Sequence, residues 1–248
     1  MKKRLLILGM IFTMVVSSAG CGSSSSDNSG KADQSKQTAT VQDSQKDTSN
    51  DSKSDNDKKD TKYKSADEIT MDDLMSHDET PAEDFEFNDG ADEIVIQKYV
   101  GKDPIVVIPD EIDGKKVVGF ESAFTLNNNI VAVKIGNNVQ EVENSAFSGC
   151  KQLKYVVMGD SVKTIGGRMF AQTNLQELVL NDGLQKIGQD DSNNVLAPPS
   201  SNCGMDLKIP ESVTELHVSE FNLIGKSGSY TEQYANEHAD AGVTFTAE

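Results

Sequence analysis

The chain contains no tryptophan, and aromatic residues make up only 6% of its 248 positions. Buried surface must therefore come mainly from aliphatic side chains arranged in ladders, which suits a thin repeat array better than a deep globular pocket. Histidine is also scarce. His77, His217 and His238 are the only imidazoles, and no GxSxG, HExxH, phosphate-loop or CxxC motif accompanies them. With 40 acidic residues some will be neighbours by chance, so a paired-carboxylate hydrolase is the one catalytic class left formally open. Basic residues are outnumbered, 23 against 40, which gives a net charge of -17. Such a chain has no electrostatic reason to seek nucleic acid or anionic lipid. The reading is of a protein that is not an enzyme, with no cofactor and no metal site.

What is present is a repeat. Ile130, Val133, Ile135, Val139 and Val142 are followed by Ala146-Phe147, and the pattern returns as Leu153, Val156, Met158, Val162 and Ile165 before Met169-Phe170. Leu175, Leu178, Leu180, Leu184 and Ile187 make a third round without the aromatic. Equivalent positions lie 23 and then 22 residues apart, a period suited to one strand and a tight return per coil. Within a coil, Val156 and Met158 alternate as one side of a strand does against a core. Turn formers follow each strand: Pro109-Asp110-Glu111, Gly136-Asn137-Asn138, Gly159-Asp160-Ser161, Asn181-Asp182-Gly183 and Pro210-Glu211-Ser212. Phe124, Phe147 and Phe170 recur at the same interval and are expected to stack as a column, one ring per coil. The fold class expected is a β-rich repeat solenoid with short turns and 3-10 segments.

The runs Ser145-Ala146-Phe147-Ser148-Gly149-Cys150-Lys151-Gln152-Leu153 and Ile209-Pro210-Glu211-Ser212-Val213 resemble the BspA-type leucine-rich repeats of bacterial surface proteins. The resemblance spans roughly residues 85 to 248. It implies a secreted or anchored protein that adheres to host or matrix proteins or to other cells, and it brings no catalytic residues with it. Two places depart from the pattern: Gly119-Phe120 stands where Val142 and Ile165 stand in other coils, and Asp191-Ser192 replaces an Ala-Phe pair. Irregular coils are expected at both.

Taken in order, residues 1–20 read as an export signal, with basic Met1-Lys2-Lys3-Arg4 and a 12-residue apolar run from Leu5 to Val16, too short to cross a bilayer. Ser18-Ala19-Gly20-Cys21 resembles a bacterial lipobox, which implies that Cys21 becomes a lipid-modified N-terminus at the outer face of the cell membrane. An ordinary signal peptide cut near the same place is the alternative. Residues 21–64 are rich in Ser, Asp, Lys and Asn with hardly an apolar side chain, and are expected to remain a disordered tether. Residues 65–84 form a short helix and linker, with Ser65-Ala66-Asp67-Glu68 as capping box and Ile69, Leu74 and Met75 as a weak apolar stripe reaching about His77.

Residues 85–118 read as N-terminal cap strands. Phe85-Glu86-Phe87, a turn at Asn88-Asp89-Gly90 and Ile94-Val95-Ile96 form a hairpin, Ile105 to Ile108 a third strand, and Asp113-Gly114 a turn before Val117-Val118. Repeats occupy 119–223, and 224–248 form a helix-strand cap. There Ser229-Tyr230-Thr231-Glu232 caps a helix bearing Tyr230 and Tyr234 on one face, and Val243-Thr244-Phe245 is a closing strand.

Residues 189–205 break the period as an insertion whose spacing of acids does not fit a calcium loop. Cys203 lies within it and Cys150 in a coil. The two could pair in an exported protein, or Cys150 could be a small buried filler. If Leu153, Val156 and Met158 point inward, the outward column is Lys134, Val157, Val179 and Lys208, with Ala132, Tyr155 and Glu177 beside it. Tyr155, Val157 and Val179 then make an apolar patch rimmed by charge, the candidate surface for a protein or glycan. The expected state is a monomer.

Overall fold

The apolar positions that repeat between Ile130 and Ile187 all turn inward in the computed structural model, which describes residues 65–189 and 196–248. All are buried except Leu180, which is partly exposed. The lipid site at Cys21, the tether and the irregularity expected at Asp191-Ser192 lie outside the described residues.

A 3-10 turn at Ala66–Glu68 leads into helix α1 (Met71–Met75). The strands then run β1 (Phe85–Asp89), β2 (Glu93–Tyr99), β3 (Ile105–Val107), β4 (Glu111–Ile112) and β5 (Lys115–Phe120). The coils add β6 (Ala132–Lys134), β7 (Glu141–Val142), β8 (Tyr155–Val157), β9 (Thr164–Ile165), β10 (Glu177–Val179) and β11 (Lys186–Ile187). After a 3-10 turn at Ser200–Asn202 come β12 (Met205–Lys208), β13 (Glu215–Leu216) and β14 (Phe221–Gly225), then helix α2 (Tyr230–Glu237) and β15 (Thr244–Ala247).

The three central coils each contribute one strand to each of two parallel sheets, and the flanking coils one strand to a single one of them. β3, β6, β8 and β10 form the first, in register Val106, Val133, Val156, Leu178; β7, β9, β11 and β13 form the second, in register Val142, Ile165, Ile187, Leu216. The coils therefore superpose side chain on side chain, and the array is the expected β-solenoid. Strands are short because a turn follows at once. At Gly159 no side chain fits, since a Cβ would fall on the carbonyl oxygen of Gly136 in the coil before it.

The aromatic column forms as well. Phe124 and Phe147 have ring centroids 5.5 Å apart, and Phe147 and Phe170 are 6.5 Å apart with planes inclined by only 5°. Phe120 joins this column, edge-on to Phe124 at 5.3 Å. To bring that ring in, β5 carries an extra residue against β2, where the register shifts between Ile94 and Val95. This is the irregular first coil anticipated at Gly119-Phe120.

Both ends are closed by different elements. At the N-terminal end β1 and β2 pair antiparallel, though β1 runs through Asp89 and the reversal falls at Gly90 to Asp92, closed by the Gly90 N–H donating to Glu93 O at 3.1 Å. The Asp113-Gly114 turn between β4 and β5 has φ of 52° and 77°, as a two-residue hairpin requires. At the C-terminal end β12, β14 and β15 form a parallel sheet backed by α2. Tyr234 locks the helix in place: its hydroxyl accepts from Val218 N at 2.9 Å and donates to Val218 O at 3.1 Å. Ser229 caps this helix, accepting from Glu232 N at 3.4 Å, while the Glu232 carboxylate turns to Gly228 N rather than back to Ser229.

The first helix differs from expectation. Ser65 makes no side-chain cap, and Ile69 is extended at φ -82°. The reciprocal capping box belongs instead to Thr70 and Asp73, whose side chains accept from each other's N–H at 3.2 and 3.1 Å. The shift has a physical cause: Lys154 draws Asp67 aside, and Ile69 is pulled onto the sheet.

Candidate binding surface

The register of the first sheet fixes its outer face. Ala132, Tyr155 and Glu177 lie side by side in one column, and Lys134, Val157 and Val179 in the next. These are the columns expected from the alternation of each strand, with one exception. Lys208 is in β12, which packs beside β10 without joining its ladder and pairs with β14 instead. Its ammonium is 2.6 Å from the Glu248 carboxylate, and that hydrogen bond raises its pKa.

A larger correction concerns exposure. Val157 is only 7% exposed and Ala132 not at all, because residues 66–75 lie across them. Ile69 and Leu74 pack against Ile105, Val107, Val131, Ala132 and Val157, with Ala66, Met71 and Tyr155 at the margin. Lys154 pins the start of this strap, its buried ammonium donating to Asp67 Oδ1 at 2.6 Å and to Ala66 O at 3.1 Å. The Asp67 carboxyl is held below its ordinary range by that hydrogen bond and by the charge of Lys154. Farther on, Thr80 finishes the edge of β3: its N–H donates to Val107 O at 2.9 Å and its hydroxyl accepts from Val107 N at 3.0 Å.

The open part of the face is thus narrower than the sequence reading allowed. It consists of Glu177, Val179 at 39% exposure, half-buried Tyr155 and Lys134, and Gln176, whose Oε1 accepts from the Tyr155 hydroxyl at 3.3 Å. The strap was the feature that sequence reasoning missed. Its signal was available: Val131 and Ala132 occupy the outward places held by Lys154 and Tyr155 one coil later, and Ile105 and Val107 are apolar too. Outward positions that are apolar on successive coils report a cover.

The three histidines lie on separate elements. His77 follows α1, its Nε2 3.5 Å from Asp103 Oδ2; His217 follows β13, 3.3 Å from Glu215 Oε1; His238 ends α2, stacked on Tyr234 at 3.9 Å. Among the described residues no group of three or more His, Cys, Asp or Glu could hold a metal ion, and no helix is long and apolar enough to cross a membrane. Cys150 and Cys203 do not form a disulfide. Cys150 is the buried filler: its Sγ donates to Phe124 O at 2.8 Å, and burial pushes its thiol up to about 11. Cys203 is exposed, 3.4 Å from Glu220 Oε2. A polar cleft of about 470 Å³, lined by Ser65, Asp67, Lys102, Asn128, Asn129 and Gln152, runs along the strap.

Residues 120–196 match the BspA type leucine rich repeat region, in six copies. The crystal structure of a T. pallidum leucine rich repeat protein is similar at 29% sequence identity, covering 59% of this chain and 71% of that one, with a TM-score of 0.49. No curated protein matches the chain.

Proposed function

Because residues 120–196 are an array of BspA-type leucine-rich repeats, we propose that the protein is a non-catalytic binding module displayed outside the cell. In this reading Cys21 carries the lipid anchor, residues 21–64 hold the repeats away from the membrane, and the module, as a monomer, adheres to an extracellular protein or glycan. One observation carries it: ordered parallel strands set Tyr155, Gln176, Glu177 and Val179 in adjacent register, an exposed aliphatic group among polar rim residues on a rigid backbone. Proteins built on such repeats are typically binding modules rather than enzymes, and catalysis would need convergent groups. The array offers a surface instead.

The full chain, immobilised and exposed to matrix proteins and to cell-wall fractions, should retain a partner, and Tyr155→Ala with Val179→Asp should cut that retention by about tenfold or more, the loss of roughly 1.4 kcal/mol or more. Retention of nothing from either pool would instead support a structural spacer of the envelope, a reading favoured by how much of the sheet the chain covers with its own strap. Turnover of a glycan or peptide by the same chain would replace both readings with a hydrolase. The anchor is tested separately: Cys21→Ala should abolish fatty-acid labelling and membrane association, and a labelled, membrane-bound variant would overturn it.

A further inference from the structure

The outer face of the first sheet is mostly apolar where it is covered, with Lys154 its buried charge, and mostly polar where it is open, Val179 excepted. Ile105, Val107, Val131, Ala132 and Val157 are all buried beneath residues 66–75. In the next coil the matching positions are Gln176, Glu177 and Val179, all exposed. Stripe and cover therefore largely coincide, with Val179 the apolar residue left outside.

The cover is held less firmly than what lies beneath it. A five-residue helix such as α1 is not stable alone, and Leu74 is its one buried side chain. Ile69 supplies a second anchor. Two polar contacts add to these, Lys154 with Asp67, whose side chain is 91% exposed, and His77 Nε2 with Asp103 Oδ2 at 3.5 Å. Each keeps at least one partner open to solvent, so they hold the strap more weakly than a fully buried pair would. Among the described residues, backbone-to-backbone hydrogen bonding between this segment and the sheet starts only at Thr80. β6 and β8, by contrast, are paired on both sides. A segment with few buried groups resting on a doubly paired sheet is the kind that opens locally before the rest.

Charge adds a chemical signature. From Ser65 to Gln97 the chain has no lysine or arginine. The strap thus presents one carboxylate, Asp67, to a face whose buried cation is Lys154, and sets aliphatic residues two and seven positions after it: Asp67, Ile69, Leu74.

We propose that this stripe is a docking groove for a short acidic amphipathic segment, closed in cis by residues 65–79, which release as a unit while the coils stay folded. Once released, the groove takes a partner segment of the same pattern in trans. The inference does not depend on the adhesion reading, since the chain itself defines both groove and ligand.

Native-state hydrogen exchange on the unaltered full chain tests the release. The amides of Leu74 and Ser76 should exchange at least about 100-fold faster than those of Ile135 and Met158, which bridge adjacent coils. Equal protection would overturn the proposal. The groove is tested with a fluorescent peptide of residues 65–79 and the full chain carrying Ile69→Asp and Leu74→Asp. The peptide should bind this variant at least about tenfold more tightly than the unaltered chain, whose own strap competes, and adding Lys154→Gln should weaken it. Peptide binding to both chains alike, or to neither, would overturn the proposal. So would loss of cooperative unfolding in the double variant, because the strap would then be part of the core.

Discussion

Positions 126, 149 and 172 occupy one corner of successive coils and share a left-handed backbone, with φ of 60°, 77° and 60°, yet only the middle one is glycine. A side chain there costs about 1 kcal/mol or more. Gln172→Gly should therefore raise the melting temperature by about 2–4 °C, the shift that about 1 kcal/mol produces in a domain of this size. Gly149→Ala should lower it, with added pressure on the Leu126 side chain that lies over it. The thiols differ in the same local way. Maleimide should label Cys203 in the native state and reach Cys150 only on unfolding, as read by peptide mass mapping, and Glu220→Gln should speed labelling of Cys203 by replacing the carboxylate that raises its pKa with a neutral amide. Asp67 gives a pH dependence whose sign follows from its depressed pKa. Its support for the strap is present above its ordinary value of 3.8 and is lost as pH falls through the lower folded value, so exchange at Leu74 and Ser76 should rise relative to the core in that acidic window.

At the scale of elements, the phenylalanine column and the C-terminal helix each hang on a few side chains. Phe147 is fully buried between Phe124 and Phe170, and Phe147→Ala should cost about 3–5 kcal/mol in denaturant unfolding. Tyr234→Phe removes both bonds to Val218 and leaves a buried N–H without an acceptor, a loss of about 1–3 kcal/mol that should first loosen α2 and β15. The column was legible in the sequence because its 23-residue period is carried by residues that have one environment, the interior. The same holds for the paired turns and for α2, where cap and apolar face coincide. The strap was not, because its residues take their conformation from the sheet rather than from their neighbours. Ser65 to Glu68 has the letters of a capping box, but the box forms five residues later, once Lys154 and the apolar stripe have claimed Asp67 and Ile69. Lys208 was misplaced for a related reason. Its strand keeps the alternation of the others, and only the insertion before it decides which sheet it joins.

At the scale of the whole molecule, each coil meets only the coils before and after it, so stability is a chain of neighbouring contacts and depends on how the ends are finished. The second sheet runs unbroken from β7 to β13, while the first stops at β10. The Thr80 hydroxyl and amide answer both backbone groups of Val107, so the outermost strand of the first sheet offers no bare rim there. Replacing that residue by valine keeps its shape but strips away the acceptor. Thr80→Val should therefore knit into pairs or longer assemblies as concentration rises, detectable by light scattering. One oxygen atom in a loop would then decide whether that rim is closed or open to the strand of another molecule.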